Sequence, residues 1–231
     1  MFEALIRKDL RICRMSLVAG VVLLIGPYGM ATVMVMNLPL WTEATPTSAW
    51  AVLLGWGSFF SVMCSQPTLA MISGSIIAAE RGDRSAEFLA YLPPARHQIL
   101  QSKFTVLAGT AIVIYGVNLS IRLFANVLAG DTNGVEALTG DLPSMTYVAA
   151  VGVVAVGVGW CSSAAFSDAG PAVALAFAAP LIVLSVLNLI EYLTGWPGEF
   201  YYERIYFGSC VGVGVITFAI GTLYFLQRIE P

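Results

Sequence analysis

The chain has 231 residues, 58% of them hydrophobic and only 11% charged, with a net charge of −3 and a mean hydropathy of +0.82. Soluble domains carry about 25% charged residues, so this chain has too few charges to cover a water-facing surface, and a soluble globular domain is excluded. Its apolar runs are roughly 20 residues long rather than alternating strands of about ten, which points to an all-α integral membrane protein and away from a β-barrel.

The first sixteen residues form the first expected element, an amphipathic helix in the membrane interface (1–16). At 100° per residue, Phe2, Leu5, Ile6, Leu10, Ile12 and Cys13 gather on one arc, and Glu3, Arg7, Lys8, Arg11 and Arg14 on the opposite one. Asp9 breaks the pattern by pointing into the apolar arc. It either pairs with a neighbouring arginine or makes a buried contact, to the polar segment 78–103 or to a partner protein. A polar lead of mixed sign with no small-residue cleavage site after it does not read as a cleaved signal.

Six membrane spans follow within a single domain, 1–231: Leu17–Met36, Trp50–Ile77, Phe104–Ala129, Met145–Phe166, Pro171–Ile190 and Phe207–Leu226. Each is long enough for a hydrocarbon core of about 30 Å at about 1.5 Å per residue. Pro27, Pro67 and Pro180 fall inside spans, where neighbouring helices can re-satisfy the freed carbonyls. Nine of the eleven Lys and Arg residues fall on one side of this six-span layout, leaving only Arg122 and Arg204 on the other. The positive-inside bias therefore predicts a multi-pass protein of the cytoplasmic (inner) membrane with both termini cytoplasmic. Ser167–Gly170 reads as a tight cytoplasmic turn.

Between the second and third spans, residues 78–103 interrupt the oil: AAERGDRSAEFLAYLPPARHQILQSK, with nine titratable side chains and two prolines. Asp83 is a good N-cap for a two-turn helix over Arg84–Tyr91, with Phe88, Leu89 and Leu92 on one side. Pro93-Pro94 stops that helix, and Pro94 can start a second one that runs through Ile99 and Leu100 into the third span. A loop built from a capped helix and a stiff elbow presents a surface. Either it packs on the inner leaflet, or it docks a soluble partner and passes force to the two spans that it joins.

The remaining polar residues have plainer readings. Tyr115, Asn118, Arg122 and Asn126 share one face of the third span. Arg122 lies near its outer end, either snorkelling among amide neighbours or lining the outer end of a pathway with Asn118 and Asn126. His97 is the only histidine and sits at a helix start, so a Ser–His dyad, bis-histidine haem and histidine-rich zinc sites are excluded within the chain. Cys13, Cys64, Cys161 and Cys210 lie in or beside apolar runs or on the inner side, and no disulfide is expected. Gly55–Ser58, Gly208-x-x-x-Gly212, Ala155-x-x-x-Gly159 and Ala172–Ala179 read as small-residue packing stripes. The aromatic-rich stretch 191–206 reads as an outer interfacial loop.

Two of these features carry a resemblance. The run Glu80-Arg81-Gly82-Asp83-Arg84-Ser85-Ala86-Glu87-Phe88-Leu89-Ala90-Tyr91-Leu92-Pro93, followed by Arg96 and Lys103, resembles the loop after the second span of type-2 ABC transporter permeases. There the pattern is roughly E-R-x-x-G/S-x-x-E-x-L-x-x-L-P, then a basic residue, then a lysine opening the third span. Leu5–Arg11 is similar to that family's interfacial helix, with Arg7, Lys8, Asp9 and Arg11 as its charged positions. Ala90-Tyr91 departs from the family pattern, where smaller or leucine-like residues are usual.

The resemblance implies the permease subunit of an ABC exporter, moving a lipid-like or amphipathic substrate. Residues 78–103 would be the coupling segment, with Glu80, Arg81, Asp83, Arg84, Glu87, Phe88, Leu89 and Arg96 as the ATPase-docking surface. The partners implied are two copies of an ABC ATPase subunit and a second permease chain, identical or paralogous, in membrane lipid. The chain itself would be no enzyme and would hold no cofactor: ATP and magnesium would bind the partner ATPase, since no G-x-x-x-x-G-K-[ST] run is present. No nucleic acid partner is expected. The alternative is a non-transporting membrane scaffold that recruits a cytoplasmic partner through the same loop.

Overall fold

The computed structural model describes residues 2–37, 46–82, 96–128, 134–196 and 199–227. Side chains are described for most of these, but not for residues 35, 46–49, 52, 81–82, 134–146 and 199–203. The described residues form eight helices and no strand: α1 (Phe2–Ile12), α2 (Arg14–Asn37), α3 (Pro46–Ser75), α4 (Ala78–Gly82), α5 (Arg96–Leu128), α6 (Gly134–Ala165), α7 (Ala169–Thr194) and α8 (Glu199–Gln227). Five of them are long and apolar enough to cross a membrane: α2, α5, α6, α7 and α8. The chain is thus an α-helical, multi-pass membrane protein.

α3 is the long helix outside that set, at 30 residues. Its middle carries Ser58, Ser61, Ser65, Gln66, Thr68 and Ser73, all buried. These lower its mean hydropathy, and their burial follows from its position, since α3 packs on α2, α5, α6 and α7. A helix packed on four others needs a smaller lipid-facing girdle. Its hydroxyls are satisfied locally, as when Ser65 donates to the Ser61 carbonyl at 2.6 Å, or across helices, as when Ser61 donates to the Leu24 carbonyl of α2 at 2.7 Å.

Close approach depends on missing side chains. A Cβ at Gly57 of α3 would meet the Tyr28 ring of α2 at 2.5 Å, so the glycine admits the tyrosine. Between α6 and α8 a Cβ at Gly157 would strike the Gly214 backbone, and one at Gly214 would strike that of Val153. The same two helices are joined by Trp160 stacked on Phe218, ring centroids 5.0 Å apart, with the indole donating to Thr222 at 3.2 Å. The packing stripe expected at Gly208 and Gly212 is shifted: nothing lies within 4 Å of a Cβ at either, and the α8 glycines in contact are Gly214 and Gly221. In α7 the expected alanine stripe packs as read, with Ala172, Ala176 and Ala179 buried.

Several boundaries differ from the sequence expectation. α5 begins at Arg96, eight residues before the expected span, because the helix expected to start after Pro93-Pro94 runs unbroken into it. α6 begins at Gly134, inside what was expected to be an outer loop. Residues 191–206 are mostly helix rather than loop. α7 continues to Thr194 and is closed by Gly195, whose φ of 66° is left-handed and whose N–H donates to the Glu191 carbonyl at 2.8 Å. α8 then starts at Glu199. The Ser167–Gly170 turn is present, with Asp168 in extended geometry just before α7.

Candidate functional site

The helix of α3 does not simply end. Residues 76–77 form a turn between Ser75 and Ala78, after which the chain resumes as the short α4. A break inside a bundle strands backbone donors and acceptors, which need partners. Here Ser163 of α6 supplies one side: its Oγ accepts from the N–H of Ile77 at 3.1 Å and of Ala78 at 2.9 Å. Lys103 of α5 supplies the other, its Nζ donating to the Ile76 carbonyl at 2.9 Å.

Lys103 is fully buried. Its ammonium also lies 3.1 Å from Asp9 Oδ1 and 2.8 Å from Glu80 Oε1. The three N–H donors of the ammonium thus have three partners: α1, α4 and the break itself. Asp9, 2% exposed, receives a second hydrogen bond on Oδ2 from the Ser102 hydroxyl at 2.5 Å. Glu80 is also held by Lys8, whose Nζ lies 2.8 Å from Oε1. Among the described side chains the cluster pairs two ammoniums with two carboxylates. A lone buried charge would be very costly, whereas a paired and fully hydrogen-bonded set is tolerated. The clamp rests on the apolar cluster of Cys13, Ile72, Ile76, Ile77, Val106, Leu107, Trp160 and Ala164.

The electrostatics follow this geometry. Burial alone would push the Glu80 carboxyl up. The Lys103 charge and the hydrogen bonds from Lys103 and Lys8 outweigh it, holding the group below its ordinary value and ionised at neutral pH. Beside the clamp, burial pushes the Cys13 thiol up to about 11, with Asp9 and Glu80 raising it further and Lys103 opposing. Cys13 is therefore a neutral packing group at neutral pH.

The clamp ties the two feet of the segment 83–95 to each other and to α1. Glu80 stands where the chain leaves toward that segment, and Lys103 stands two turns into the helix by which it returns. Of the residues expected on the docking surface, Glu80 is turned inward rather than outward. Arg96 is exposed and its guanidinium donates to the Leu226 carbonyl near the end of α8 at 3.4 Å. The side chain of Arg81 lies outside the described residues, as do Asp83, Arg84, Glu87, Phe88 and Leu89 entirely. On α1, Lys8 and Asp9 enter the clamp, Arg7 makes an exposed pair with Glu3 at 2.7 Å, and Arg11 is exposed.

The residues expected to line a pathway fall elsewhere, on α5. Asn118 is fully buried between helices: it accepts from the Tyr28 hydroxyl at 2.7 Å and donates to the Ile114 carbonyl at 2.7 Å. Arg122 and Asn126 are half-buried further along the helix. One helix turn before Asn118, the Tyr115 hydroxyl donates to Gln66 Oε1 at 3.1 Å.

Sequence reasoning named Asp9, Glu80 and Lys8 but assigned no site role to Lys103, and it missed Ser102 and Ser163. The available signal was a pair of opposite charges, Asp9 in an apolar arc and Lys103 at the mouth of an apolar span. Their pairing could not be read from spacing, because they are 94 positions apart. No family model, curated protein or solved structure matches this chain.

Proposed function

We propose that the protein is the membrane-spanning permease subunit of an ATP-driven exporter, with residues 78–103 as the segment that couples it to a separate ATPase subunit. The single observation that supports this reading is the buried clamp. It gives the segment a stiff base in which α1, α4 and α5 are joined at one lysine, so a push on the segment is delivered to three helices together. The motif Glu80–Pro93 followed by Lys103 points to the same class. In this reading α3 is the sixth span, both termini are cytoplasmic, and the cargo is lipid-like or amphipathic.

The test is co-purification of the full chain with its membrane partners, followed by ATPase measurement in reconstituted vesicles. An ATPase subunit retained by the wild type and lost or uncoupled in Glu87→Lys supports the reading, provided the variant unfolds at the wild-type temperature. Retention of a partner without ATPase activity would replace it with the scaffold reading. Normal transport by Glu87→Lys would remove the coupling role of the segment.

A further inference from the structure

A groove of about 380 Å³ runs between α1, α2, α3 and α5. Its lining is apolar: Ile6 and Leu10 from α1, Leu17 and Val21 from α2, Val113 and Ile114 from α5. The hydroxyls that reach it are mostly spent inside their own helix, with Thr105 donating to the Gln101 carbonyl at 2.7 Å and Thr110 to that of Val106 at 2.8 Å. Thr68, fully buried at the groove, has a hydroxyl oxygen with no partner among the described residues. Gly109 opens the wall, since nothing lies within 4 Å of a Cβ there.

The edge of the groove at the α1–α2 junction carries a charge. α1 passes into α2 with its hydrogen-bond ladder carried across Cys13, which donates to the Asp9 carbonyl and accepts from Leu17 N–H, both at 2.9 Å. Helical register therefore holds through the junction. It places Arg14 on the stripe of Leu10, Leu17 and Val21, three residues that line the groove, at steps of four, three and seven. Arg14 is exposed, as is Arg11, and neither has an ion-pair or hydrogen-bond partner among the described residues. The volume lies within the roughly 300–1,000 Å³ range of ligand pockets.

An apolar channel bordered by an unpaired guanidinium at the α1–α2 junction matches an acyl chain beside an anionic headgroup. We infer that this groove is a binding site for one anionic glycerophospholipid of the membrane, its acyl chain between α1, α2 and α5 and its phosphate at Arg14. This site does not depend on the ATPase reading, because it needs only the isolated chain.

The experiment is native mass spectrometry of the full chain in detergent, titrated with phosphatidylglycerol or with phosphatidylcholine of identical acyl chains. The wild type is expected to retain one phosphatidylglycerol in preference to phosphatidylcholine. Arg14→Gln should reduce that retention about fivefold, the factor that one basic residue contributes at an anionic surface, while Arg14→Lys preserves it. Gly109→Leu should abolish retention of both lipids by filling the channel. If that variant fails to fold, Val113→Trp, at an exposed groove position, serves the same purpose. Equal retention of the two lipids by the wild type, or phosphatidylglycerol retention unchanged in Arg14→Gln or in the filled-groove variant, would overturn the assignment.

Discussion

The ammonium of Lys103 lies 2.8 Å from the carboxylate of Glu80, and the two residues stand on opposite feet of the segment 83–95. This contact closes a loop whose ends belong to different helices, and Asp9 at 3.1 Å brings the N-terminal helix into the same knot. The first consequence is energetic. Removing one partner of a buried pair leaves uncompensated charge and costs about 3–5 kcal/mol. Lys103→Met, which leaves the buried Asp9 carboxylate without its ammonium and removes one of the two that hold Glu80, should lower the unfolding temperature of the purified chain sharply. Arg7→Gln, which removes only the exposed pair with Glu3, should cost about 1 kcal/mol or less. Thermal unfolding of both variants in one detergent measures the contrast.

Ser102 gives a smaller and more specific effect. Its hydroxyl is the second hydrogen bond to Asp9, and a hydrogen bond to a charged group contributes about 1.5–3 kcal/mol. Ser102→Ala should fall in that range alone. Combined with Asp9→Asn it should cost clearly less than the sum of the two single changes, because both act on one contact. Additive losses would dissolve the proposed unit.

The clamp also sets a pH dependence. The folded-state value of Glu80 is held below the ordinary carboxylate range. Its contribution is therefore complete above the unfolded value of about 4.3 and is lost as pH falls through the lower, folded value. Stability should drop on acidification through that window. Glu80→Gln should start less stable at neutral pH and fall less steeply, as read from unfolding midpoints measured at neutral and acidic pH.

Cys13 reports the seating of α1. With its thiol pushed up to about 11 and its side chain 1% exposed, it should resist maleimide near neutral pH in the folded chain and react once the chain is unfolded. Lys103→Met should expose it, and its labelling rate should rise when the clamp opens. Mass spectrometry of labelled peptides distinguishes Cys13 from the other three cysteines.

A glycine pair tests the helix packing. Gly214→Leu would drive a side chain into the Val153 backbone and should cost about 1–3 kcal/mol or more. Gly212→Leu, two positions away with open space around it, should stay within about 0.5 kcal/mol for the isolated chain. A large loss at Gly212 in the assembled protein but not in the monomer would mark that face as a contact between chains.

How far the sequence reached depended on whether each signal was local. Long apolar runs gave the helices, because span length and hydropathy are properties of one segment. The turn before α7 and the helical residues ahead of the third apolar run, from Arg96 on, were legible for the same reason. The early start of α6 was not, since polar residues after Gly134 read as loop when only composition is considered. The clamp was half visible. Asp9 in an apolar arc announced a buried partner, but choosing Lys103 over a neighbouring arginine required knowing that α1 lies on α5. The packing glycines were misplaced by one face for a similar reason: Gly208, Gly212 and Gly214 look alike in sequence, and only the direction of α6 selects among them.

The touching backbones of Gly157 and Gly214 leave no rotamers between α6 and α8 to absorb a shear. Those two helices behave as a single beam, further pinned by the Trp160 indole. Give within the bundle is thereby left to the opposite half, where α2 meets α3 through a tyrosine side chain rather than through touching backbones.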